Sequence, residues 1–195
     1  ADEAYELRFY LADIYFYFDQ FENAADEYFK VTQERPKDGK YLKAGALAAV
    51  VSIRKIDEAT TYQKLPPPGQ VAQPITLPRV KTKLVTMIDN YAKLLPTEKD
   101  GFPMRFTAAM TFFEYGHYQN ALTRFEQIGT ELPATPQGQS SIKAILAFYA
   151  ERKDWENLVK VGRKFNENPK LMATPVIVEI VKAMKVGVFQ LAVQQ

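Results

Sequence analysis

The stretch YQNALTRFEQIGTELP, residues 118–133, decides how this chain is read. Its aromatic Tyr118 is followed three positions later by the small Ala121, and the run stops at Pro133. The same order recurs along the chain. Phe21 and Ala24 lead to Pro36, Trp155 and Leu158 lead to Pro169, and Phe189 and Ala192 read as the opening of a fourth copy. Ala121 and Leu158 are 37 residues apart, and Leu158 and Ala192 are 34 apart. A recurrence of that length marks a helical repeat array, in which one unit cannot bury its apolar face alone. Such arrays offer extended surfaces to other proteins, so the pattern points away from catalysis.

Composition agrees with a packed protein. Of the 195 residues, 47% are apolar and 25% charged, which supports a core. A net charge of +2 is too small to point to a nucleic-acid partner. The absence of cysteine excludes disulfides, thiol catalysis and cysteine-held metal. No run of about 18 uncharged apolar residues is present, so no membrane span is expected. The chain begins Ala-Asp-Glu, with neither Met nor a signal peptide, and reads as a mature or excised piece.

Helical periodicity can be followed along the chain. Leu7, Leu11, Ile14, Tyr15 and Phe18 make residues 3–18 an amphipathic helix. A second helix covers 21–34 and ends before Pro36, which cannot donate the next helical hydrogen bond. Helices are expected over 40–56 and 78–95, separated by an insertion at 57–78 that holds Pro66, Pro67, Pro68, Gly69, Pro74 and Pro78. Ala24 and Leu84 are 60 residues apart, one 37-residue period and 23 more, whereas Leu84 and Ala121 are again 37 apart. Residues 102–115 and 118–132 pair across Gly116-His117, and 138–152 and 154–167 pair across Lys153-Asp154. A helix over 174–185, capped by Thr174 and closed by Gly187, completes the series before the copy at Phe189.

At this point the chain resembles the tetratricopeptide repeat (TPR) family. The residues that carry the resemblance are Leu11, Ala12, Tyr15, Phe21, Ala24, Tyr28 and Pro36 in the first unit. In the third they are Ala108, Ala109, Phe112, Tyr118, Ala121, Phe125 and Pro133. In the fourth they are Ile145, Leu146, Tyr149, Trp155, Leu158 and Phe165. The resemblance implies an all-α fold of antiparallel helix pairs stacked as a right-handed superhelix (an α-solenoid). Its units would be 3–36, 38–96, 101–133 and 138–169, with a partial unit at 174–195. Two positions depart from the pattern: Lys81 stands where an aromatic belongs, and Gly162 where a large aromatic is usual. A looser similarity to bacterial cell-envelope TPR proteins rests on Leu11-Ala12-Asp13-Ile14-Tyr15 and Ala24-Ala25-Asp26-Glu27-Tyr28. It favours a periplasmic or envelope location over a cytoplasmic one.

The resemblance also implies a concave groove lined by the first helix of each unit. The groove candidates are Phe9, Asp13, Phe16, Tyr17, Tyr41, Phe106, Met110 and Phe113, and the expected occupant is a peptide or helix of a protein partner. Self-association with other repeats is the second expectation, and an accessory role beside an enzyme the third. A chaperone-tail clamp is not expected, because Phe9, Asp13, Ala44 and Ala48 stand where the family's clamp has Lys and Asn.

No cofactor is expected. The nine glycines form no phosphate loop, and His117, the one histidine, sits in a turn with no nucleophile beside it and reads as solvent-facing. Lys160, Arg163 and Lys164 read as a solvated helix face, and Asp26 as an i,i+4 partner of Lys30. The 57–78 insertion has three readings. It is a polyproline II ligand for another domain, a plain surface loop, or a cover in which Val71, Ile75 and Leu77 fold back over the groove.

Overall fold

Three turns of this chain are the same turn. Asp19, Gly116 and Lys153 have φ of 57°, 77° and 55°, the left-handed region. Each N–H reaches back three residues, Asp19 to Phe16, Gly116 to Phe113 and Lys153 to Ala150. The next N–H reaches back five in each case, Gln20 to Tyr15, His117 to Phe112 and Asp154 to Tyr149, all at 2.9 Å. This is the Schellman closure, which satisfies the last carbonyls of a helix and reverses the chain. The three small or aliphatic residues found in the sequence follow at once. Ala24, Ala121 and Leu158 are almost fully buried.

The computed structural model describes residues 2–193. Among them are ten helices and no strand. The helices are α1 (Asp2–Tyr17), α2 (Phe21–Glu34), α3 (Leu42–Ala59), α4 (Arg79–Leu94), α5 (Gly101–Glu114), α6 (Tyr118–Glu131), α7 (Pro136–Glu151), α8 (Trp155–Asn166), α9 (Pro169–Met172) and α10 (Val176–Val193). Each of α1 to α8 packs on the next in the chain, and α10 packs on α8 and α7. Two apolar clusters hold this row. One joins α1–α4 to the start of α5 and centres on Tyr28, Ile53, Ile88 and Tyr91. The other runs from α5 to α10 around Phe125, Ile142, Leu158 and Phe165.

Local chemistry sets the helix starts. Thr135 Oγ1 accepts from the Gly138 N–H at 3.0 Å to cap α7, with Pro136 as first residue. Asp154 caps α8 by accepting from the Asn157 N–H. Asn168 caps α9 through the Lys170 N–H, ahead of Pro169. Short polar side chains and a proline at the first position suit the unpaired N–H groups of a helix start.

Four expectations are corrected. Helix α3 runs to Ala59, so the irregular segment begins at Thr60 rather than at residue 57. The short α9 was not foreseen. Thr174 does not cap α10: its hydroxyl donates to the Leu171 carbonyl at 2.7 Å and closes the preceding turn. Gly187 does not end a helix, because α10 continues through it to Val193. Phe189 and Ala192 therefore lie inside α10 and open no new helix. The glycines Gly162 and Gly187 serve close approach instead. A β-carbon on Gly187 would sit 2.7 Å from Val159 Cγ2, and one on Gly162 would collide with Met184. Their missing side chains let α8 and α10 lie against one another, which accounts for glycine at position 162.

Candidate partner-binding surfaces

Helix α1 turns its apolar periodicity outward. Tyr5 and Ala12 are buried, and Phe9, Tyr15 and Phe16 pack against the first core cluster. Leu7, Tyr10, Leu11, Ile14, Tyr17 and Phe18 stand on the opposite side, between 39% and 81% exposed. Their spacing of three and four residues draws one stripe along the helix. Thus Leu11, which carried the family pattern in the first unit, is a surface residue. Acidic groups accompany the stripe. Glu3 and Asp13 are exposed, while Glu6 pairs with Lys40 at 2.9 Å. The cation of this helix, Arg8, is engaged by Glu27 at 2.9 Å and by Glu34. The Glu27 bond is the main reason its pKa is raised.

The expected groove residues are distributed as follows. Phe9 stacks on Tyr41 with ring centroids 4.2 Å apart and planes within 9°, so the structure brings these two together. Tyr41 is fixed in turn by its N–H, which donates to the Tyr5 hydroxyl at 3.0 Å. Asp13 accepts from the Tyr28 hydroxyl at 2.5 Å; burial, and then this carboxylate, raise the Tyr28 pKa. Phe16 meets the edge of Phe21. Tyr17 is 81% exposed and touches Phe18. Phe106 and Met110 are half-buried against the second cluster, with Phe106 on Phe125. Phe113 is buried among Tyr118, Phe125 and Phe148. Of the eight, Asp13 and Tyr17 are the exposed ones, because the other rings fill the spaces between neighbouring helices.

Phe113 is also covered from outside. Residues 60–78 leave α3, cross to the end of α7 and return to α4. Pro67, Pro68, Gly69 and Gln70 form the reversal, with the Gln70 N–H donating to the Pro67 carbonyl at 3.0 Å and Gly69 at φ 85°. This is a type II turn, with proline and glycine where their backbones suit it. The Arg152 guanidinium donates to the Gly69 carbonyl at 2.5 Å. It lies 3.8 Å from the Phe148 ring centroid and 4.6 Å from that of Tyr118. The Tyr118 hydroxyl donates to the Val71 carbonyl at 3.0 Å. The Ile75 N–H donates to the Tyr115 carbonyl at 2.9 Å, and the Ile75 carbonyl accepts from His117 Nε2 at 2.8 Å. Val71 is 4% exposed. With respect to the three readings of this segment, Val71 lies over the α5–α6 turn, Ile75 is 37% exposed and Leu77 is half-buried.

His117 is therefore a latch for this segment rather than a solvent-facing turn residue. Sequence reasoning missed Tyr118, Phe148 and Arg152 as its other holders. The signal available was the aromatic density around Gly116 beside a proline-rich segment that contains single apolar residues.

A polar cluster roots the same segment. Lys81 pairs with Asp57 at 2.9 Å, both largely buried. Asp57 also accepts from the Tyr62 hydroxyl at 2.7 Å, and the Lys81 ammonium lies 4.9 Å from the Tyr62 ring centroid. Burial first, and then the bond to Asp57, push the Tyr62 hydroxyl up to about 12. Lys81, the residue that departs from the aromatic pattern, thus holds the base of the insertion. Nearby, burial raises the Glu114 carboxyl, with Lys81 opposing and Asp57 adding to the shift.

The charged faces are simpler. Lys160, Arg163 and Lys164 are exposed, and Lys164 pairs with Glu126. Lys30 pairs with Glu27 at i,i+3, while Asp26 pairs with Lys83 at 2.7 Å, so the expected Asp26–Lys30 pair is replaced by a contact between helices. At the far end of the row, α10 exposes Val178, Val186, Phe189 and Val193 beside Lys182 and Lys185. Between α7 and α10 lies an apolar groove of about 440 Å³ whose lining includes Lys143 and Ala147. Among the described residues no helix is long and apolar enough to cross a membrane, and no group of three or more His, Asp or Glu side chains is placed to hold a metal ion. Compared with protein-family models and with curated proteins, the chain matches none.

Proposed function

We propose that this chain is a non-catalytic scaffold of the TPR type that holds an amphipathic helix of a protein partner. Its units are 3–36, 38–96, 101–133 and 138–169, with a partial unit at 174–195, in a right-handed superhelix. The three matching turns at Asp19, Gly116 and Lys153 support a repeated unit. The outward stripe of α1 is the observation that carries the binding role. An apolar ridge of this length on α1 exceeds what scattered surface residues account for. Its helical spacing suits a helix laid along it. The exposed acidic groups Glu3 and Asp13 favour an occupant whose apolar face is bordered by Lys or Arg.

The test is a titration with two labelled helical peptides, alike in their Leu face and bordered by Lys in one and by Glu in the other. The Lys peptide binds the parent chain, and Leu11→Glu with Ile14→Glu abolishes that binding while leaving the helical circular dichroism intact. Binding that survives in the folded double variant, or equal binding of the Glu peptide, overturns the reading.

A second reading is favoured by α10. Its exposed Val178 and Phe189 share a helix face with Lys182 and Lys185, complementary to the acidic apolar face of α1. Copies of the chain would then stack head to tail, α10 of one on α1 of the next. Sedimentation equilibrium separates the readings. A mass that grows with concentration and falls with added salt supports stacking, and a constant monomer mass removes it.

A further inference from the structure

Residues 69–75 are held by the rest of the chain in the way a separate peptide would be. The hydrogen bonds fall on the segment's main chain: Arg152 on the Gly69 carbonyl, Tyr118 on the Val71 carbonyl, and Tyr115 and His117 on the two sides of Ile75. Val71 is the buried side chain of this stretch. It enters a notch that exists because Gly116 has no β-carbon; one placed there would stand 2.6 Å from Val71 Cγ1. Gly69 lies on the Phe113 ring, where a β-carbon would come within 3.4 Å of Cζ. Recognition by main chain, plus one pocket for one side chain, is how an extended peptide is bound.

The length of the segment is not needed to join two helices. Residues 115–117 suffice between α5 and α6, whereas residues 60–78 join α3 to α4.

We propose that residues 69–75 are an internal ligand of a second peptide site. The site is built by the Gly116–Tyr118 turn, Phe113, Phe148 and Arg152. It takes an extended partner segment that carries glycine two residues before a β-branched apolar residue. The internal segment keeps the site filled until such a partner displaces it. Tethered at both ends, it has an effective concentration of about a millimolar or more, so an incoming segment must compete against that. The inference rests on the reading of the chain as a scaffold for protein partners, but it uses none of the α1 stripe.

The experiment uses a fluorescent synthetic peptide of residues 66–77, followed by anisotropy. It is titrated with the intact chain and with a chain whose residues 66–77 are replaced by an equal length of glycine and serine. The replaced chain binds the peptide, and the intact chain binds it at least about tenfold more weakly. Val71→Asp in the peptide, or Arg152→Ala in the replaced chain, lowers the affinity about tenfold or more. Leu11→Glu with Ile14→Glu leaves it unchanged, which separates this site from the α1 face. Absence of saturable binding to a replaced chain that still melts cooperatively overturns the proposal. Equal binding to the intact chain overturns it as well. If the replaced chain does not fold, the full-length Val71→Asp chain takes its place, with the same two outcomes.

Discussion

Val71 occupies the space that a side chain on Gly116 would need. The Gly116 backbone is left-handed at φ 77°, and Val71 Cγ1 lies 2.6 Å from where its β-carbon would be. One glycine thus serves two purposes. It reverses the chain between α5 and α6, and it opens the notch into which the proline-rich segment docks.

Gly116→Ala is expected to cost about 1–3 kcal/mol, from backbone strain and from the collision with Val71. Val71→Ala alone is expected to cost about 1–2 kcal/mol through lost burial. Together they are expected to cost less than the sum, because the second removes the closer of the two Val71 contacts, Cγ1 at 2.6 Å, and leaves Cβ at 3.0 Å. Urea denaturation of the four chains measures the coupling. Exchange of the Ile75 amide hydrogen, bonded to Tyr115, is expected to accelerate in Gly116→Ala more than exchange in the α6 core. Additive costs would show that the two residues do not meet.

Lys81 and Asp57 form a largely buried pair at the root of the segment. Lys81→Met leaves the Asp57 carboxylate without its cation and is expected to cost about 2–3 kcal/mol. Adding Asp57→Asn is expected to recover part of that loss, since no buried charge is then uncompensated. The same denaturation series reads both. A cost below about 0.5 kcal/mol for Lys81→Met would mean that the pair is solvent-screened.

Glu114 gives a pH signature. Burial raises its carboxyl pKa in the folded chain, so the folded state holds this proton more tightly than the unfolded one. The resulting stability is complete below the unfolded value, near about 4.3, and is lost as pH rises through the folded value. Glu114→Gln carries no such loss. Its melting temperature is expected to lie above that of the parent at pH 7, and the gap to close at about pH 4. Parallel melting curves at both pH values would contradict the burial assigned to this carboxylate.

The helices were legible because their cause is local. Ala24, Ala121 and Leu158 stand at fixed distances from aromatic residues, and all three are buried as that spacing requires. At Gly187 the local sequence suggests a stop, whereas glycine there serves the packing of α10 on α8. Neighbouring helices decide such a residue, and periodicity within one helix does not contain them. The same limit explains α1. Leu7, Leu11, Ile14 and Phe18 have the spacing of a core face, yet Tyr5, Phe9, Ala12 and Phe16 are the residues that pack. Both sides of this helix are apolar, so periodicity alone does not choose between them. The candidate groove fared likewise. Phe9 and Tyr41 lie 32 positions apart, and their 4.2 Å stack depends on the packing of the first helix pair against the residues before α3. The holders of residues 69–75 lie 40 to 83 positions away in sequence, beyond any local pattern.

The location of partner binding on α1 is tested most directly by methyl NMR of the chain during titration with the Lys-bordered helical peptide. The account predicts that the methyl signals of Leu7, Leu11 and Ile14 shift in a saturable way, while those of the core residues Leu84 and Ile88 stay in place. Saturable binding that leaves the three α1 residues unshifted would contradict it.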